Sequence, residues 1–272
     1  MKSKPDMDTD LKIALVQSDI YWEESSRNIA RFAGELDRIR EPVDLILLPE
    51  MFNTGFSVNP GKCAESMEGP SVRFLKEKAG EKDCVVMGSL LIAEEGHYFN
   101  RLVAMFPDGK SQHYDKRHLF RLSEEYRVFK GGNRRILITV KGWKILPLVC
   151  YDLRFPVWSR NRYLDGEYEY DLLVYVANWP KTRRHIWKSL LIARAIENQA
   201  YAAGVNRIGK DGHGTDHTGE SLVSGPKGEI IFSAGQGRSC TATVTLEKEK
   251  LKQIRESFPI GPDWDRFTLD NP

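Results

Sequence analysis

Cysteine is scarce in this chain: four thiols in 272 residues, at positions 63, 84, 150 and 240, with no Cys-x-x-Cys pair. That pattern excludes a disulfide scaffold and the common zinc and dithiol motifs, and it predicts reduced thiols in a cytoplasmic protein. An excess of one charge is lacking too. Forty basic residues stand against 38 acidic ones, a net charge of +2, so neither nucleic acid nor membrane is expected as a partner through bulk electrostatics. No run approaches the roughly 20 apolar residues of a membrane span. The start, Met1-Lys2-Ser3-Lys4-Pro5-Asp6-Met7-Asp8, is too polar for the core of a signal peptide. Repeats, low-complexity tracts and long Pro/Gly/Ser linkers are also missing. Residues 1–10 therefore read as a disordered or extended N-terminus and 11–272 as a single domain.

What is present is an alternation of short apolar runs with amphipathic stretches. Residues 11–17, 43–48, 84–92, 98–106, 111–115, 136–140, 143–150, 171–176, 199–205, 229–233 and 240–244 read as strands. A helix carries Ile29, Phe32, Leu36 and Ile39 on one face, with Ser25 or Ser26 as its N-cap. Pro70 opens a second helix, 185–198 forms a third, and 248–255 a charged one near the C-terminus. Near-continuous apolar strands interleaved with helices predict an α/β fold whose sheets are covered on both faces.

Three of these runs end on a reactive side chain. Glu50 closes Leu47-Leu48-Pro49-Glu50, Lys116 follows His113-Tyr114-Asp115, and Cys150 ends Leu146-Pro147-Leu148-Val149-Cys150. Taken singly, a cysteine at a strand end is usually core, and a glutamate or lysine there is usually solvated. Together they are the parts of an acyl-transfer site: a nucleophile, a proton carrier and a cation for the developing oxyanion. The backbone N–H of Tyr151 is placed to be a second oxyanion donor.

Leu47-Leu48-Pro49-Glu50-Met51-Phe52-Asn53-Thr54-Gly55-Phe56, Tyr114-Asp115-Lys116-Arg117-His118-Leu119-Phe120 and Val149-Cys150-Tyr151-Asp152-Leu153-Arg154-Phe155-Pro156 resemble the glutamate, lysine and cysteine motifs of the nitrilase (carbon–nitrogen hydrolase) superfamily. Their order and spacing, 66 and 34 residues, match as well. The resemblance covers roughly residues 11–250. It implies a four-layer α-β-β-α sandwich, no cofactor and no metal, a small-molecule amide substrate, a homodimer, and catalytic Glu50, Lys116 and Cys150. It also implies a second glutamate in the loop after the lysine, where Glu125 is the choice and Glu124 the alternative.

Cys150-Tyr151-Asp152-Leu153-Arg154-Phe155-Pro156, Tyr175-Val176-Ala177-Asn178-Trp179-Pro180 and Ala193-Arg194-Ala195-Ile196-Glu197-Asn198-Gln199 are most similar to the omega-amidase branch. That branch cleaves the terminal amide of 2-oxoglutaramate or 2-oxosuccinamate. Such substrates carry a carboxylate, and Arg154 is a candidate for binding it in a bidentate way; the alternative is an ion pair with Asp152. Tyr151, Phe120 and Trp179 are candidate pocket residues, although aromatics at such places are more often core. Lys181, Arg183 and Arg184, just past Asn178-Trp179-Pro180, are further candidates for the carboxylate; the alternative for Arg183 and Arg184 is charge at the start of a helix, where the dipole disfavours it. His213 and His217 flank a glycine-rich loop, which argues against a metal site, and His118 reads as structural. Gly131-Gly132 lacks the strand-to-helix context of a phosphate loop. Other carbon–nitrogen hydrolases (an N-carbamoyl amino acid hydrolase, an aliphatic amidase, a nitrilase) are the alternative activities, and a non-catalytic scaffold is a further one.

Overall fold

Alternation along the strand Leu11–Gln17 decides the layering. Leu11, Ile13 and Leu15 pack with Leu45, Leu47 and Met87 and with Ile145, Leu148 and Val174 of another sheet. Ala14 and Val16 face the opposite way, among Phe32, Leu36, Phe74 and Leu75. A strand buried on both faces belongs between a second sheet and a helical layer. The computed structural model, which describes residues 9–269, has that form: two six-stranded mixed sheets packed together, with helices outside each. This is the expected α-β-β-α sandwich.

The first sheet is ordered Cys240–Leu246, Leu11–Gln17, Leu45–Leu47, Val85–Glu94, His97–Met105, Ser111–Asp115. The second is ordered Ile230–Ser233, Leu222–Ser224, Tyr201–Asn206, Leu172–Ala177, Trp143–Val149, Ile138–Val140. Ser25–Asp37 and Pro70–Lys82 cover the first sheet. Arg184–Asn198 covers the second through Trp187, Leu191 and Ala195.

The inner strands of each sheet run parallel. Leu15 lies opposite Leu47 and Leu47 opposite Met87, while Val176 lies between Val149 and Val205. Parallel strands bring their C-terminal ends to one rim, where α/β proteins gather functional side chains. Glu50, Cys150 and Asn178 all follow such ends. Lys116 follows the edge strand Ser111–Asp115, and its backbone N–H donates to Asn100 O at 3.0 Å.

Several local expectations shift. Ser25 is the first residue of its helix; the cap position is Glu24, without a side-chain capping bond, and Ile39 lies beyond the helix end. After Cys150, where the sequence predicts a polar turn and a short helix through Trp158, the chain forms a 3-10 turn, Cys150–Arg154, and a short helix, Pro156–Ser159. The polar, glycine-rich stretch around His213 and His217 is a hairpin, Ile208–Lys210 with Asp216–Thr218. Its lack of apolar alternation hid it. Of the expected disordered start, residues 1–8 lie outside the described residues. Thr9 O accepts the indole N–H of Trp143, and Asp10 accepts the backbone N–H of Lys248.

Candidate active site

The rim places Glu50, Lys116 and Cys150 in one cavity of about 460 Å³, with Glu125 paired to Lys116 but not lining it. Lys116 is 1% exposed, and both glutamates are fully buried. Lys116 Nζ lies 2.9 Å from Glu50 Oε1 and 3.0 Å from both carboxylate oxygens of Glu125. Burial alone would lower the lysine's pKa, but Glu125 and Glu50 outweigh it and raise it, so the ammonium is permanent. With the Glu125 contact bifurcated, one of the three ammonium hydrogens remains for another acceptor.

Glu125 is held as tightly as it holds. Its carboxylate accepts from the backbone N–H of Phe120 and from Asn100 Nδ2, and its own N–H donates to Ser123 Oγ. Burial raises its pKa against the pull of Lys116, and the nearby charge of Glu50 adds to the rise. Glu124, the alternative, is exposed and pairs with Arg127.

Asn100 and Asn178 were not found by sequence reasoning. Asn100 Nδ2 bridges Glu50 Oε1 at 2.8 Å and Glu125 Oε1 at 3.1 Å. The backbone N–H of Asn178 donates to Glu50 Oε2 at 2.8 Å, and its side-chain amide donates to Glu50 O. The only signal was a polar residue set inside or just after an apolar strand.

Cys150 sits at φ 41°, in the left-handed region, at the junction of strand and 3-10 turn. A non-glycine residue there is strained and is kept by its surroundings. The surroundings are visible: Asp152, fully buried, accepts from Val149 N at 3.0 Å, Tyr114 OH at 2.8 Å, His118 N at 3.1 Å and His118 Nδ1 at 2.8 Å. This carboxylate ties the cysteine turn to the lysine segment. His118 also stacks on Phe155 at 3.7 Å, so its place is structural, as expected. Gly132 serves the same segment from the other side. Its N–H donates to Lys116 O, and a Cβ there would meet Asp115 O at 2.1 Å.

The Cys150 thiol has its pKa pushed well up, first by burial and then by the charge of Glu50, against smaller opposing effects of Lys116 and the Asn178 N–H. The resting sulfur is thus protonated, with Glu50 beside it.

Tyr151, Phe120, Trp179 and Arg154 all line the cavity. Phe120 meets Tyr151 edge to face at 5.1 Å. Asp152 is occupied as described and makes no ion pair with Arg154. The Arg154 guanidinium lies over the Trp179 ring at 5.2 Å, and that of Arg183 over Phe120 at 5.5 Å. Among the described residues neither has a carboxylate partner. Of the two arginines weighed between carboxylate binding and helix-start charge, Arg183 lines the cavity and Arg184 does not. Among the described residues no group of three or more His, Cys, Asp or Glu gathers as a metal site.

Residues 12–256 match the family model described as carbon-nitrogen hydrolase. The chain belongs to the carbon–nitrogen hydrolase family. It is 42% identical over 259 residues to the omega-amidase YafV of Escherichia coli K12, covering 95% of this chain and 98% of that protein. It is 30% identical to a 2-oxoglutaramate amidase of Bacillus subtilis, covering 92% and 96%. Its fold is similar to that of XC1258 of Xanthomonas campestris, a CN-hydrolase superfamily protein whose crystal structure holds an arsenic adduct in the active site. The TM-score is 0.94 at 39% identity, over 96% of this chain and 99% of that one.

Proposed function

We propose that this carbon–nitrogen hydrolase is an omega-amidase, releasing ammonia from the terminal carboxamide of small 2-oxo acid amides such as 2-oxoglutaramate and 2-oxosuccinamate. The observation that carries the substrate class is the pair of guanidiniums, Arg154 and Arg183, facing the thiol's cavity without a carboxylate. A half-buried arginine with no anion beside it is completed by an anionic ligand. The amidase relatives support the same reading.

In the proposed reaction, Sγ of Cys150 attacks the carboxamide carbon while Glu50 takes the thiol proton. The carbonyl electron pair moves to oxygen, which is held by the remaining Lys116 hydrogen and the Tyr151 N–H. One such donor typically contributes about 2.7–4 kcal/mol. Collapse breaks the C–N bond as Glu50 protonates the nitrogen, and ammonia leaves a thioester. Water, deprotonated by Glu50, then attacks the thioester, the C–S bond breaks, and the proton returns to sulfur. Glu125 and Asn100 act by fixing Lys116 and Glu50, and Phe120 and Trp179 wall the acyl chain. No step calls on a metal or cofactor.

The test is to incubate purified protein with 2-oxoglutaramate, an N-carbamoyl amino acid and a simple nitrile and to measure ammonia. Preferential release from 2-oxoglutaramate is expected; release only from the nitrile or the carbamoyl compound rejects the proposal in favour of those activities.

A homodimer belongs to the same proposal. Val157 and Ile196 leave apolar surface 50% and 48% exposed, on two helices joined where Arg160 donates to Glu197 O. A monomer mass in sedimentation at micromolar concentration would remove it. A cytoplasmic location also belongs here, since all four cysteines are free thiols and the chemistry needs Cys150 reduced.

A further inference from the structure

The hairpin Ile208–Lys210/Asp216–Thr218 forms one wall of the cavity and contributes Asp211, His213, Thr215 and His217. Three of these have evident occupations or lie open. Asp211 Oδ1 accepts the backbone N–H groups of His213 and Thr215. His213 is exposed with its ring edge-on to Trp22 at 5.1 Å. His217 differs: it is 5% exposed, yet it faces the cavity.

Its ring nitrogens can be told apart. Nδ1 lies 3.1 Å from Thr215 O. A carbonyl oxygen can only accept, so Nδ1 carries the hydrogen and a neutral ring presents a lone pair at Nε2. Among the described residues nothing donates to Nε2. The ring does stay neutral: burial first, and then the Arg207 guanidinium, push its pKa down to about 4, against the weaker pull of Asp211 and Glu50. His217 is therefore an acceptor in a cavity whose other recognition groups, Arg154 and Arg183, are donors.

The substrate class of the proposed function narrows what can meet it. A 2-oxo acid amide offers acceptors at its carboxylate, its oxo group and its amide carbonyl. Its only N–H donors are those of the carboxamide nitrogen. We propose that His217 Nε2 accepts a hydrogen bond from the carboxamide nitrogen of the substrate and so turns the leaving nitrogen's lone pair toward Glu50. This rests on the amidase reading, and it assigns the hairpin a part in choosing amides over acyl donors without an N–H.

The experiment compares 2-oxoglutaramate with the matching methyl ester, which has the same acyl group and no N–H. His217→Leu removes the acceptor, and His217→Phe removes it while keeping a flat ring in the space. Thermal melts establish that each variant is folded. For both, kcat/KM for the amide is expected to fall roughly 10-fold, the weight of one hydrogen bond, while that for the ester stays within about 2-fold. His217→Gln, which restores an acceptor, recovers part of the amide rate. Parallel losses on amide and ester would overturn the proposal and make His217 a packing residue. Wild-type protein that turns over the ester but releases no ammonia from 2-oxoglutaramate would instead overturn the amidase reading.

Discussion

The inner end of the cavity and its outer wall are built on opposite terms. At the inner end the charged side chains have charged partners. Lys116 meets two carboxylates, Glu50 accepts from Lys116, Asn100 and Asn178, and Glu125 accepts from Lys116, Asn100 and the Phe120 N–H. At the outer wall Arg154 and Arg183 rest on aromatic faces, and among the described residues neither has a counter-charge. The inner end is finished before a substrate arrives, which is what electrostatic preorganisation requires. In the proposed function the outer wall is completed by the substrate, which is what selectivity requires. Under that proposal the comparison predicts that inner-end residues set kcat and outer-wall residues set KM.

The largest effect that follows is at the sulfur. Cys150→Ala is expected to lower ammonia release by more than about 10⁴-fold, as for other covalent nucleophiles, with little change in the melting temperature. Residual turnover near the wild-type rate would show that chemistry does not lie at the inner end at all. Next is Glu125→Gln, which keeps the shape and removes one of the two charges on Lys116. We expect kcat to fall about 10²-fold with KM nearly constant; a change confined to KM would erase the division between the two regions.

Arg154→Ala probes the other side. Losing a charge-assisted contact worth about 1.5–3 kcal/mol predicts KM for 2-oxoglutaramate raised about 10- to 100-fold, with kcat little changed. An uncharged aliphatic amide should not notice. Steady-state kinetics on both substrates decide it, and equal effects on the two would take Arg154 out of carboxylate binding.

The same division explains what could be read in the sequence. Glu50 and Cys150 were legible because each closes a short apolar run, Lys116 because it follows the strand Ser111–Asp115, and all three because their flanks match the family motifs. Glu125 was legible only through the family pattern. Locally it is indistinguishable from Glu124, and what separates them is a fold that buries one against Lys116 and leaves the other to Arg127. Asn100 and Asn178 were not legible. They are neutral, and they reach Glu50 across 50 and 128 residues of sequence, a distance at which only the paired strands bring them together. Arg183 could not be told from Arg184 in the sequence; the 3-10 turn Lys181–Arg183, which precedes the helix, brings it to the cavity. An α/β fold with sheets covered on both faces was plain from the apolar runs, and the two-sheet sandwich came from the family resemblance, whereas the hairpin that carries His217 has no such run to read.

The smallest expected effect concerns that hairpin and is read in stability rather than rate. His217 is neutral in the folded protein, with its pKa lowered from 6.5 to about 4, whereas the unfolded chain protonates it near pH 6.5. Between those values the unfolded state binds more protons, so stability falls as pH drops through that window. The full shift corresponds to about 3 kcal/mol, reached only below pH 4, and about 1 kcal/mol of it is realised by pH 5.5. Denaturant unfolding of wild type and His217→Phe at pH 7, 5.5 and 4 measures the difference. The wild type should lose more stability on acidification than the variant, because the variant has no imidazole to protonate on unfolding. A wild type that instead gains stability on acidification relative to the variant would mean that the ring is already protonated when folded. Nε2 would then be a donor, and the outer wall would hold three donors for the carboxylate instead of two donors and an acceptor for the amide.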